Sequence, residues 1–123
     1  MRVVTVDPIA FSVSWVQAWN RHDIEAVLAH FDEQVVFSSP VAAGVVPGSG
    51  GVVRGKAALR KYWTTALAHI PDLQFTLEGV YQGIGTVVIA YRNQDGGRVS
   101  EVLRFNDDGL VIEGHGTYLA PGP

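Results

Sequence analysis

The segment Arg98-Val99-Ser100-Glu101-Val102-Leu103-Arg104-Phe105-Asn106-Asp107-Asp108-Gly109-Leu110-Val111-Ile112-Glu113-Gly114-His115-Gly116-Thr117-Tyr118-Leu119 reads as a β-hairpin. Its first arm alternates: Val99, Glu101, Leu103 and Phe105 fall on one face, Ser100, Val102 and Arg104 on the other. Asn106-Asp107-Asp108-Gly109 supplies the turn, so strands are expected at 98–106 and 110–119. That turn predicts Phe105 opposite Leu110, Leu103 opposite Ile112, and Glu101 opposite Gly114.

Upstream, 74–83 and 86–94 read as two more strands. Asp95-Gly96-Gly97 fits a three-residue loop closed by Gln94 and Arg98. This register predicts Asn93 opposite Val99, Tyr91 opposite Glu101, and Ile89 opposite Leu103. One face then gathers Phe75, Leu77, Tyr81, Val87, Ile89, Tyr91, Asn93, Val99, Glu101, Leu103, Phe105, Leu110, Ile112 and Tyr118. Gly79, Gly114 and Gly116 join it, which suggests a curved sheet with a hollow above the glycines. The other face, with Val88, Ala90, Arg92, Val102, Arg104, Glu113 and His115, is expected to meet water or a second copy of the chain.

Ahead of the strands lie three helical patterns. Phe11, Trp15 and Trp19 make one stripe between Ile9 and Asn20. After the break at Asn20-Arg21-His22, Asp23 is an N-cap for a helix carrying Ile24, Val27, Leu28 and Phe31. The third runs over 56–70 with Leu59, Tyr62, Trp63, Ala66 and Ile70 inward, and Pro71 ends it. Val35-Val36-Phe37 reads as a short strand. The stretch 41–55, with glycines at 44, 48, 50, 51 and 55, reads as a structureless loop and a candidate flexible lid at 44–55. Helices first and a mostly antiparallel sheet after is an α+β pattern in one domain spanning 1–123.

Composition narrows the functions. The chain has 123 residues, is 47% hydrophobic and 17% charged, and carries a formal net charge of -3. That balance gives no cationic field for nucleic acid or an anionic membrane. No apolar run approaches the roughly 18 residues of a membrane span, and Met1-Arg2-Val3 does not open a targeting segment. The absence of cysteine removes disulfides and thiolate chemistry and suits a cytoplasmic location.

Glu101 is the strongest chemical signal, being the only carboxylate on the apolar face. Desolvation raises a carboxyl pKa, which suits a general acid or a neutral donor to an oxyanion. Tyr91 and Asn93 are expected to orient it as catalytic partners. Trp15, Trp19, Phe37, Ser39, Tyr62, Trp63, Leu103, Gly114, Gly116 and Tyr118 are expected to line an apolar ligand pocket. His30 and His69 lack acidic or histidine neighbours at metal-ligand spacing and His22 reads as a turn residue or a rim of the pocket; no metal and no cofactor is expected. Residues 50–57 match a phosphate-binding loop in spacing, but Ala57 replaces the hydroxyl that would hold magnesium. No serine shows histidine–carboxylate support, which disfavours covalent hydrolysis.

Several stretches resemble the nuclear transport factor 2-like superfamily, in its SnoaL-like and ketosteroid isomerase-like branch. They are 19–27 (WNRHDIEAV), 35–40 (VVFSSP), 55–59 (GKAAL), 101–105 (EVLRF) and 107–110 (DDGL). The resemblance implies a cone-shaped, cystatin-like α+β barrel, its curved mixed sheet wrapped around three N-terminal helices. It also implies an apolar cavity and often a homodimer through the sheet. Glu101 matches the position of the isomerase's protonated oxyanion-hole aspartic acid, Trp15 its oxyanion tyrosine, and Ser39 its general base. Gly116 matches the last-strand aspartate of SnoaL-like cyclases. With base and tyrosine replaced, the implied function is a cofactor-free acid–base enzyme of isomerase, cyclase or dehydratase type on a small hydrophobic metabolite. A non-catalytic ligand-binding or dimerisation module is the alternative.

Overall fold

The computed structural model describes residues 4–122; Met1, Arg2 and Val3, and with them part of the reading of the N-terminus, lie outside the described residues. The elements are α1 (Pro8–Asn20), α2 (Ile24–Leu28), β1 (Phe31–Ser38), α3 (Pro40–Val45), β2 (Val52–Arg54), α4 (Lys56–His69), β3 (Thr76–Gly83), β4 (Thr86–Arg92), β5 (Arg98–Phe105) and β6 (Val111–Tyr118). All six strands form one curved, unclosed sheet in the order β2-β1-β6-β5-β4-β3. Every pairing is antiparallel except β1 with β6. The α+β class and the mixed sheet are as expected, and no helix among the described residues is long and apolar enough to cross a membrane.

Local chemistry accounts for the helix starts. Asp7 caps α1 by accepting from the Ala10 amide at 3.0 Å, with Pro8 in the first turn. Asp23 caps α2 through the Ala26 amide at 3.0 Å. Gly55 turns the chain into α4 at φ 89°, a conformation open to glycine and strained for other residues. The Asn20-Arg21-His22 break ties α1 to the sheet: the Asn20 amide donates to the Phe75 carbonyl and accepts from its N–H. α1 contributes Phe11, Trp15 and Trp19 to the core, and α4 contributes Leu59, Tyr62 and Trp63. Trp63 meets Trp19, Phe31 and Phe37 edge-on, with centroids 4.9, 5.3 and 5.6 Å away.

The segment 41–55 is not structureless. Ser39 Oγ accepts from the Val41 amide at 3.1 Å, Pro40 occupies the first turn, and α3 follows. β2 then pairs with β1, placing Val36 opposite Arg54, Phe37 opposite Val53 and Ser38 opposite Val52. Ala42 and Val53 are buried. A capped turn and an edge strand stand where the glycine content suggested a structureless connection. Phe31, expected on the second helix, instead begins β1.

Both hairpin registers differ from expectation by two residues. Ile89, not Tyr91, stands opposite Glu101, and Tyr91 stands opposite Val99. The cause is Asn93: its Oδ1 accepts from the Asp95 and Gly97 amides at 3.0 and 2.9 Å, and its own N–H donates to Gly97. The chain therefore turns one residue earlier on each arm. Likewise Glu101 meets Gly116 and Leu103 meets Gly114, two residues beyond the expected partners. A shift of two preserves side-chain parity, so Glu101 stays on the inner face.

Two bulges do change parity. One between Arg104 and Phe105 gives Val111 the inward place assigned to Leu110 and Ile112, which are half-buried. The other, between Leu77 and Gly79, sets Val80 opposite Ile89 and Tyr81 opposite Val88. Tyr81 therefore points outward, 66% exposed, and Gly79 pairs with Ala90 on the outer face rather than lying under the hollow. On that outer face His115 bonds Glu113 and Ser38, the histidine–carboxylate support that the sequence revealed for no serine.

Gly114 packs beneath Phe37. A Cβ there would lie 2.9 Å from Phe37 Cδ1 and 3.1 Å from Leu103 Cδ2. Gly114→Ala is expected to cost about 1–3 kcal/mol through overpacking, read as a lower urea midpoint at unchanged m-value.

Candidate functional site

α1, α4 and the inner face of the sheet enclose a cavity of about 90 Å³. Its aromatic wall is Trp15, Trp19, Phe37, Tyr62, Trp63 and Phe75. Phe75 stacks on Trp15 at 5.8 Å and lies 4.3 Å from Tyr91, centroid to centroid. Polar groups are few: Glu101, Tyr91, Ser39 and Tyr118 within, and Asn93 and Gln94 on the lining from the β4–β5 turn.

Glu101 is held by β5 between Val99 and Leu103, and is 7% exposed. Tyr91 Oη donates to Glu101 Oε1 at 2.9 Å. Gly116 sits across on β6, and a Cβ there would lie 3.4 Å from both Glu101 Oε1 and Ser39 Oγ. The missing side chain leaves the carboxyl and the hydroxyl facing the same small space.

Burial raises the Glu101 carboxyl pKa from 4.5 to about 7, against the Tyr91 hydrogen bond and the charge of His115, which favour the ionised form. Burial also pushes up the Tyr91 phenol, helped by the neighbouring carboxylate, so Tyr91 keeps its proton and acts as a donor. Tyr62 is pushed up to about 12 by burial, against a hydrogen bond with Ser39. Tyr118 moves upward through burial and the charge of Glu101. One carboxyl near neutrality thus sits among phenols that stay protonated. The indole N–H groups of Trp15 and Trp19 are buried without an acceptor among the described residues.

Of the residues expected at the site, Trp15, Trp19, Phe37, Ser39, Tyr62, Trp63, Tyr91, Asn93, Glu101 and Tyr118 border this cavity. Leu103 and Gly114 do not: Leu103 is wholly buried and the Phe37 ring covers Gly114. Gly116 contributes the space beside Glu101 rather than a surface. Asn93 is close by, but its Oδ1 closes the turn, so it does not orient Glu101. The pocket expected from the sequence lacked Val41, Ala66, Leu67, Ile70, Leu73, Phe75, Gln94 and Val99, which also line the cavity. Val41 was hidden in a supposed loop, and Leu73 follows the proline that ends α4. No group of three acidic or histidine side chains among the described residues is arranged for a metal.

This architecture has known relatives. The model of the SnoaL-like domain matches residues 13–114. The chain belongs to the SnoaL-like family. A SnoaL-like protein of unknown function from Burkholderia thailandensis is 35% identical, with a TM-score of 0.84 over 93% of this chain and 100% of that one. A Methylobium petroleophilum protein with a cystatin-like fold is 21% identical, TM-score 0.73, over 98% of this chain and 82% of that one. A candidate isomerase of the SnoaL-like family from Agrobacterium tumefaciens is 16% identical, TM-score 0.71, over 91% of this chain and 97% of that one. The last two share the fold alone. No functionally curated protein matches the chain.

A carboxyl whose native pKa lies above its unfolded value binds extra protons in the folded state. Its stabilising contribution is therefore full below pH 4.5 and is lost as pH rises through about 7. That gap corresponds to roughly 3 kcal/mol. Glu101→Gln is expected to remove this pH-dependent loss, measured by urea unfolding from pH 4 to 8. Tyr91→Phe, which removes a donor to the carboxylate, should move the Glu101 titration higher, followed by carboxyl NMR.

Proposed function

We propose that this SnoaL-like protein is a cofactor-free acid–base enzyme that moves a proton on a small, largely apolar molecule carrying an oxygen function. The observation that carries this reading is Glu101, a buried carboxyl balanced near pH 7 in an aromatic cavity. A group whose pKa lies near the working pH both accepts and donates protons efficiently, and one such group is worth about 10²–10⁴-fold in rate. In this reading the ionised Glu101 takes a proton from the carbon beside a carbonyl. The carbonyl oxygen meets the hydroxyls at the cavity floor, and Glu101 returns the proton to the same carbon or a neighbouring one.

Size restricts the substrate. An engineered cavity of about 150 Å³ accommodates benzene, so the 90 Å³ here suits a few non-hydrogen atoms or one end of a longer molecule. Steroid isomerisation by the two-carboxylate route is disfavoured, because Ser39 stands at the expected base position and its Oγ is engaged in capping α3. That same Ser39 favours the second reading, a binding module without chemistry.

The two readings separate with 2-butanone in deuterated water. The enzyme reading expects protein-dependent exchange of its α-hydrogens by NMR, rising with pH through the Glu101 titration and falling about 10²-fold or more in Glu101→Gln. Quenching of tryptophan fluorescence by 2-butanone with no exchange above buffer would leave the binding module.

A further inference from the structure

The cavity has a charge pattern as well as a shape. Glu101 is the only carboxylic acid on its lining, and among the described residues no lysine, arginine or histidine joins it there. Tyr91 Oη, 2.9 Å from Oε1, is the one hydrogen-bond donor to this carboxyl among the described residues, which leaves Oε2 free for a ligand. The rings beside it touch one another. Tyr91 lies 4.3 Å from Phe75 and 5.5 Å from Trp15, and Trp15 lies 6.2 Å from Trp19, centroid to centroid. The negative faces of such rings attract a cation within about 6 Å of their centroids, most strongly where water is excluded.

We infer that the cavity binds a small organic ammonium ion, with Glu101 as its counter-ion inside the aromatic wall. A charge leaves water at heavy cost unless it gains both an opposite charge and hydrogen bonds. The ligand is the missing cation, and its N–H donates to the free carboxylate oxygen. Gly116 adds no side chain between Glu101 Oε1 and Ser39 Oγ, so the approach to the carboxyl stays open. The alkyl groups of the ion meet the rings and the aliphatic side chains of Leu67 and Leu73. An anion would find only a like charge here. In proportion to the cavity of about 150 Å³ that holds benzene, 90 Å³ takes about four non-hydrogen atoms, the size of trimethylammonium. The inference goes beyond the proton-transfer reading and stands without it, because binding is read from the ammonium ion and exchange from 2-butanone.

Protonation of Glu101 removes the counter-ion, so binding depends on pH. The groups facing Glu101 are Tyr91 from β4, Tyr62 from α4, and Tyr118 and His115 from β6; α1 and Ser39 add no charge. The phenols keep their protons. Burial places the Glu101 titration at about 7, with the Tyr91 bond and the charge of His115 favouring the anion. Ammonium affinity therefore falls about tenfold per pH unit below that point and levels off above it. The alkylamine keeps its proton throughout, as lysine does.

The full chain is to be titrated with trimethylammonium, 2-propanol and acetate, which have equal numbers of non-hydrogen atoms, followed by tryptophan fluorescence and saturation-transfer NMR. At about pH 8 the expected order is trimethylammonium at least about tenfold tighter than 2-propanol, with no binding of acetate. Lowering the pH to about 5 should weaken the cation about 10²-fold. Glu101→Gln, with wild-type circular dichroism, should bring the cation down to the affinity of 2-propanol or below. No binding of trimethylammonium, binding of acetate, equal affinity for cation and alcohol in the wild type, or cation binding indifferent to pH and to Glu101→Gln would each overturn the assignment.

Discussion

A carboxyl group taken out of water tolerates its charge only if something replaces the solvent. Around Glu101 almost nothing does. One phenol donates to it, a glycine leaves a space that it shares with the Ser39 hydroxyl, and most of the remaining walls are aromatic or aliphatic. The group is therefore kept near the midpoint of its titration by desolvation rather than by an ion pair. The raised phenols, the small polar floor and the proposed proton-moving chemistry all depend on this one unpaid hydration shell. Had β4 carried a lysine in place of Ile89 opposite, the same carboxyl would be a permanent anion and a poor acid.

The family motifs and the alternation of residues 98–119 made the fold class and the inner position of Glu101 legible in the sequence. Parity survived errors of register because hairpin slips of two residues leave each side chain on its own face. The bulges did not announce themselves. A bulge is a single extra residue, set by how strands of unequal curvature pair, and it moved Tyr81 and Val111 across the sheet. Asn93 shows a related blind spot, since the same side chain can reach into a site or satisfy its own turn. The contact of Ser38 with His115 was invisible for a topological reason: the two meet only because β1 and β6 lie side by side.

Strand β6 thus serves two environments. Gly114 and Gly116 give Phe37 and Glu101 room on one side, while Glu113 and His115 present polar groups on the other. Alternation of the smallest residues with two of the most polar lets one strand be both floor and façade.

The central seam of the sheet has a consequence for biosynthesis. Ser38 and His115 are 77 positions apart, and the N-terminal strands of the sheet are joined to the rest through the pairing of β1 with β6 to which they belong. While the chain is being made, β1 and β2 can pack on α4 but lack the strand that joins them to β5, and a two-stranded ribbon is marginal in water. The two halves stitch together only once β6 has been synthesised, so this strand completes the sheet rather than decorating it.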